Sequence, residues 1–468
     1  MATLAKPNLP RFDVEIFQNE YLADGAREVN AIVTVTATGG GTSGGGGGGG
    51  AGRRGRPPAA PPRPPTPGAG GPQSADTAAA VVILVDCSGS MDYPKTKING
   101  AREATAAAID ALRDGTAFAV VAGTHEARDI YPGDGTLATA SATTRGHAKE
   151  SLRRLTAAGG TAMGTWLAKA DKLFLTRRDI AIRHAVLLTD GNNEHESAVD
   201  LERAIERVTG HFTADCRGVG TDWRIDELRK ISSALLGTVD IVAEPSGLAE
   251  DFRSMMAGAM GKQVADVALR IWTPANAAVK FVKQVAPAVE DLTARRAEAG
   301  PRAGDYPTGS WGDESRDYHV CVEVPAASIG NEMLAARISL VLPPQVGSGT
   351  PEVLSQGLVK AVWTDDLASS TRISPQVAHY TGQAELASSI QEGLEAHRAG
   401  DVDTATSKLG AAVRIAHATG NEGTYKLLQK VVDVVDPKEG TVRFRKNVSE
   451  ADSMTLETRS TKTVRVKK

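Results

Sequence analysis

The sequence predicts a doubly wound, mostly parallel α/β sheet combined with an antiparallel β-sandwich and a C-terminal helical bundle. Three observations carry that expectation. Apolar runs at 81–85 and 185–188 end in Asp86 and in Thr189-Asp190, with the length of strands buried on both faces. Around them, strand-like and helix-like segments alternate, as a sheet covered on both sides requires. From about 262 the apolar period falls to two, and from 383 it lengthens to that of a helix.

Taken in chain order, Phe12, Val14 and Ile16 alternate, then Val29, Ala31, Val33 and Val35 after a turn at Ala23-Asp24-Gly25. Two strands do not make a domain, so residues 1–38 are expected to join the later sandwich. Residues 39–77 combine a run of glycines at 44–50 with prolines and arginines, a composition that cannot bury a core and reads as a flexible linker. Strands are expected near 118–121, 130–131, 184–189, 212–218 and 239–242, with helices near 145–155, 162–175, 197–208, 225–235 and 246–258. Ile98, Ala101, Thr105, Ala108 and Leu112 fall on one helical face. The α/β domain is thus expected over 78–260.

Over 261–370, alternation at Val267, Leu269 and Ile271, at Val320, Val322 and Val324, at Ile338, Leu340 and Leu342, and at Val359, Ala361 and Trp363 marks sandwich strands. Over 371–437, Leu386, Ile390 and Leu394, then Leu409, Val413 and Ala416, then Leu427, Val431 and Val435 form helical stripes, with Gly400-Asp401 as a stop and a start. Residues 438–468 are polar with a basic end and read as a solvated tail after a short strand at Val442–Lys446; in it Thr461 and Thr463 are expected as accessible hydroxyls for a Ser/Thr kinase and a phosphothreonine reader.

The segment Asp86-Cys87-Ser88-Gly89-Ser90 places one carboxylate and two hydroxyls just past the end of a buried strand, where α/β sheets carry ligand sites. Hard oxygen donors of this kind suit Mg²⁺ or Mn²⁺. Gly159-Gly160-Thr161, opening a helix, and Asp190, ending the second strand, complete the pattern. These residues resemble the von Willebrand factor A (VWA) family, whose metal-ion-dependent adhesion site uses Asp-x-Ser-x-Ser, then a Thr, then an Asp. The resemblance covers roughly 78–258. It implies that Asp86, Ser88, Ser90 and Thr161 supply donors directly or through water, and that Asp190 binds directly or by holding a water. It also implies a protein partner whose Asp or Glu completes the coordination sphere, with Asn192, Asn193 and Glu194 on the partner-binding rim.

Composition bounds the rest. A chain of 468 residues with 41% hydrophobic content supports several cores, and 53 basic against 56 acidic residues leave a net charge of −3 that attracts neither nucleic acid nor anionic membrane. Three scattered cysteines without metal-ligand spacing argue against disulfides and zinc and fit a reducing compartment. No signal-peptide core or membrane-length apolar stretch is apparent, so a cytoplasmic protein is expected. Residue usage and the overall resemblance suggest a bacterial one. No His or Cys stands by the three loops as an evident base or nucleophile, so no catalytic residues are expected and a binding module or scaffold is favoured over a metal-dependent hydrolase. An accessory subunit of a chelatase-type ATPase machine is the other alternative, with the ATPase on another chain because no phosphate-binding Gly-Lys-Ser/Thr loop is present.

Overall fold

The computed structural model describes residues 9–39, 78–344 and 350–466; the linker expected over 39–77 lies, apart from Gly39, outside them. The α/β sheet runs in the order Val239–Val242, Thr213–Val219, Ile182–Thr189, Ala79–Asp86, Ala117–Gly123, Ala127–Tyr131. Its pairs are parallel except at the last strand, which is antiparallel, as is the short Ala138–Thr139. Ala79–Asp86 is flanked by strands on both sides and covered on both faces, which explains its unbroken apolar run. Val81, Ile83 and Val85 enter the core with helices Thr96–Ala111 and Leu248–Met260, while Ala80, Val82 and Leu84 face Met163–Phe174, Ala198–Val208 and Ile225–Ala234. Burying each Val, Ile or Leu contributes about 1.5–3 kcal/mol before entropy is counted. The strand's register is thereby fixed, and with it the position of Asp86 at its carboxyl end.

Two further sheets form the sandwich. One runs Arg11–Gln18, Glu28–Thr38, Glu314–Glu323, Ala278–Ala286, Glu290–Asp291; the other runs Ala297–Gly300, Ala303–Trp311, Val264–Trp272, Glu332–Leu342, Glu352–Trp363, Tyr21–Leu22. They share a core that includes Val33, Leu269, Trp311, Tyr318 and Trp363. The N-terminal strand Glu28–Thr38 pairs antiparallel with Glu314–Glu323 over its length, so the α/β unit is inserted between strands of one sandwich. Gly357 permits the sheets to approach, since a Cβ there would come within 2.6 Å of Ile16. Alternation from Val267 does not extend unbroken to the strand's start at Val264, because a bulge puts Asp266 at φ 56°.

Helices Pro375–Arg398, Val402–Ala418 and Glu422–Val431 pack around Leu386, Ile390, Leu409, Val413, Leu428 and Val431. Gly400 at φ 82° ends the first, and Asp401 caps the second by accepting from the Thr404 N–H at 3.0 Å. The third stripe is corrected at its end: Val435 lies on strand Val432–Asp436 and is 60% exposed.

The polar tail expected over 438–468 is corrected more extensively. Thr441–Phe444 pairs with Val432–Asp436, helix Glu450–Arg459 follows, and Val442 and Leu456 enter the helical core. Arg459, at the end of the helix, and Lys462, just beyond it, reach Asp240 of the α/β sheet at 2.8 and 2.6 Å, and Arg465 grips Asp317 of the sandwich through two contacts of 2.8 and 2.7 Å. The Thr461 carbonyl accepts from the Val289 N–H at 2.8 Å, and the Thr463 hydroxyl donates to the Val285 carbonyl at 2.7 Å. The two threonines are therefore held in a strap rather than on a free peptide. The basic run reads as solvated until the buried acids that it pairs with are in place.

Candidate functional site

Asp86 is fully buried at its strand end. Its Oδ1 accepts from the Ser88 N–H at 2.7 Å and its Oδ2 from the Thr189 hydroxyl at 2.5 Å. Burial pushes its carboxyl up to about 6, against the hydrogen bonds from Ser88 and Thr189 that favour the anion. A short helical turn at Gly89–Asp92 brings the Ser88 and Ser90 hydroxyls within 2.9 Å of each other, and Ser90 donates to Asp190 Oδ1 at 2.7 Å. Cys87, between Asp86 and Ser88, points into the core, where burial raises its thiol to about 12.

The loop at Gly159–Thr161 is joined to the first by backbone. The Gly89 N–H donates to the Gly159 carbonyl at 2.9 Å and the Ala158 N–H to the Cys87 carbonyl at 2.8 Å. Gly159 stands at φ 83°. The His195 N–H donates to the Thr161 carbonyl at 2.9 Å, which ties this loop to the one after Asp190. A Cβ on Gly191 would lie 3.2 Å from Ser90 Oγ and 3.9 Å from Thr161 Oγ1, so both hydroxyls crowd toward that glycine. Asp86, Ser88, Ser90, Thr161 and Asp190 are thus gathered at the carboxyl edge of the central strands. Beside them opens a cleft of about 600 Å³ whose walls include Asn192, Glu194, His195, Asp222, Trp223 and Glu450.

Of the expected rim residues, Asn192 and Glu194 line this cleft and Asn193 does not. The Asn193 side chain is buried, accepting from the Met163 N–H at 2.7 Å and donating to Glu196 at 3.0 Å. It satisfies a backbone donor at the start of helix Met163–Phe174, a task that outweighs exposure for a short amide.

Four contributors escaped the sequence reading. Thr189 fixes Asp86, and its place beside Asp190 was the one local signal for it. Lys97, at the start of helix Thr96–Ala111, sets its ammonium 2.7 Å from Asp190 Oδ2 and 3.1 Å from Asp222 Oδ2. Burial works against that charge, but the two carboxylates outweigh it and hold the ammonium protonated more firmly than usual. Asp222 and Glu450 arrive from distant segments with no motif to announce them. Among the described residues no cluster of three or more His, Cys, Asp or Glu side chains is found. The candidate donors are two carboxylates and three hydroxyls, a set suited to a hard divalent cation.

Residues 79–241 match the von Willebrand factor type A domain, and residues 414–460 match the von Willebrand factor type A C-terminal domain. An uncharacterised protein of Synechocystis sp. is 28% identical over 235 residues, 48% of this chain and 53% of that one, so the match spans about half the length of that curated relative. The crystal structure of the ArnB paralog VWA2 from Sulfolobus acidocaldarius shares the fold, with a TM-score of 0.53 at 13% identity over 96% of this chain and 98% of that one. A von Willebrand factor type A structure from Catenulispora acidiphila has a TM-score of 0.87 at 49% identity and covers 99% of both chains. With identity at that level sustained from end to end, the chain belongs to the von Willebrand factor type A family.

Proposed function

We propose that the chain is a metal-dependent protein-interaction module, with Asp86, Ser88, Ser90, Thr161 and Asp190 holding Mg²⁺ or Mn²⁺ and an Asp or Glu of a protein partner completing the sphere. The observation that carries this reading is the convergence of three loops, joined by backbone hydrogen bonds, that bring Ser88, Ser90 and Thr161 to the wall of an open cleft, with the buried carboxylates of Asp86 and Asp190 against them. VWA domains commonly mediate such metal-dependent interactions. Asp86 and Asp190 would supply the charge and the three hydroxyls neutral donors, while Thr189 and the Ser88 N–H orient Asp86. A bound divalent ion would supply the attraction for the partner's carboxylate, and Asn192 and Glu194 would contact the partner's flanks.

A non-enzymatic role is part of the proposal. His195, on the cleft wall, lies 3.3 Å from the Thr161 N–H and is exposed, with no nucleophile paired to it. A cytoplasmic setting is proposed from the three buried, unpaired cysteines. No helix among the described residues is long and apolar enough to cross a membrane.

Calorimetry on the whole chain tests the site. Wild type should bind Mg²⁺ or Mn²⁺ and the Asp86→Ala, Asp190→Ala double variant should not; equal binding by both would remove the site. Phosphate or ester turnover with Mg²⁺ that disappears in Asp86→Ala would instead favour a hydrolase.

A further inference from the structure

We propose that Lys97 is a built-in competitor for the metal, a tethered ammonium that draws on Asp190 and so sets the cation concentration at which the face becomes competent. The inference rests on the metal-binding reading above and concerns its regulation. Asp190 is fully buried: its Oδ1 accepts from the Ser90 hydroxyl, and its Oδ2, which among the described residues has no hydrogen-bond donor, is met by the Lys97 ammonium as an ion pair at 2.7 Å. Lys97 is itself only 13% exposed, so the attraction between the two charges is weakly screened. A divalent ion held at about 2.1 Å from its oxygens, and an ammonium at hydrogen-bond distance from the same carboxylate, would repel each other at close range. Ion binding at Asp190 therefore has to move Lys97 or work against it.

The place to which it moves is already in contact. Asp222 Oδ2 lies 3.1 Å from the same nitrogen, on a side chain that is 70% exposed and lines the cleft. A small rotation of the lysine exchanges Asp190 for Asp222 without leaving the ammonium unpaired. Lys97 sits at the second residue of helix Thr96–Ala111, where the free N-terminal N–H groups add positive potential to that of the ammonium.

This arrangement predicts opposite signs for two substitutions. Lys97→Met should raise Mg²⁺ affinity by about tenfold, the scale of losing one close and weakly screened competing ion pair. Asp222→Asn should lower it, because the ammonium then has Asp190 alone. In the Lys97→Met background the Asp222→Asn effect should shrink, which separates a competition through Lys97 from the loss of one nearby acid. Lys97→Arg, which keeps the charge, should stay near wild type.

The measurement is titration of MgCl₂ into the whole chain by calorimetry, with thermal unfolding of each variant in chelator and in Mg²⁺. Should Lys97→Met melt too early to titrate, Lys97→Gln takes its place. Tighter Mg²⁺ binding in the uncharged variants, or binding seen in them and not in wild type, supports the proposal. Equal affinity in wild type and Lys97→Met would overturn it, assigning Lys97 a structural ion pair and leaving the metal site intact. Absence of Mg²⁺ binding from wild type and all Lys97 variants would defeat the metal reading and this inference with it.

Discussion

Trp223 covers Gly218 so closely that a Cβ there would fall 1.9 Å from the indole. The ring is nearly buried, its N–H donates to the Gly220 carbonyl at 3.0 Å, and it forms part of the cleft wall. Gly218→Ala should displace it and destabilise the chain by about 1–3 kcal/mol, the usual penalty for overpacking, seen as a lower melting temperature and a red-shifted tryptophan emission. His319 offers a second test at this scale. Burial, with Lys283 nearby, lowers its imidazole from 6.5 to about 4, while Nε2 lies 2.9 Å from Asn30 Oδ1. Because the unfolded chain takes up that proton first, stability should fall as pH drops from about 6.5 toward 4, by about 2 kcal/mol at pH 5. Urea unfolding at pH 7 and pH 5 checks this, and His319→Gln should flatten the difference.

The strap that follows helix Glu450–Arg459 is the element whose role departs furthest from its composition. Asp317 accepts from Arg465, Thr34 and Tyr380, and although burial opposes its charge these donors hold its carboxyl below the usual range. Asp240 is likewise lowered against burial by Lys462 and Arg459. A depressed carboxylate contributes stability that is present above its ordinary value near 3.8 and is lost as pH falls through the folded one. Arg465→Ala should therefore cost about 2 kcal/mol at pH 7, the scale of a charge-assisted hydrogen bond, and progressively less under acid. Urea unfolding at pH 7 and at about pH 3, below the ordinary carboxylate value, reads it; an equal loss at both would assign Arg465 to packing.

For the molecule as a whole, the strap ties the α/β unit to the sandwich, and the N-terminal strands complete the sandwich itself. Deleting residues 1–38 would open the edge of Glu314–Glu323 and should promote aggregation and loss of hydrogen-exchange protection over 262–365, while the α/β unit keeps its metal binding. Protection unchanged across that span would contradict the prediction. Partner binding gives the functional test: a protein captured from the native cell should be lost in chelator and with Thr161→Ala, and less so with Glu194→Ala, since an exposed rim charge is worth about 1 kcal/mol or less. A partner that survives chelator would dock elsewhere on the chain.

By itself, the sequence determined what depends on neighbours in the chain. The apolar run at 81–85, covered on both faces, could only be an inner strand, and Asp86, Ser88 and Ser90 follow its end within one turn. The alternating strands and helical stripes were legible for the same reason, since a local period states which face is buried. Strands Ala278–Ala286 and Ala303–Trp311 were less so: the first departs from strict alternation, and the second carries Gly304, Pro307 and Gly309 within it. Only the tertiary structure decided that Asn193 turns inward, that Lys97 lies on Asp190, that Glu450 reaches the cleft, and that the basic end is a strap. Each of these depends on a charge or a backbone group becoming buried far along the chain. A residue's partner can be named only once folding has removed water from that group, because until then water serves it equally well.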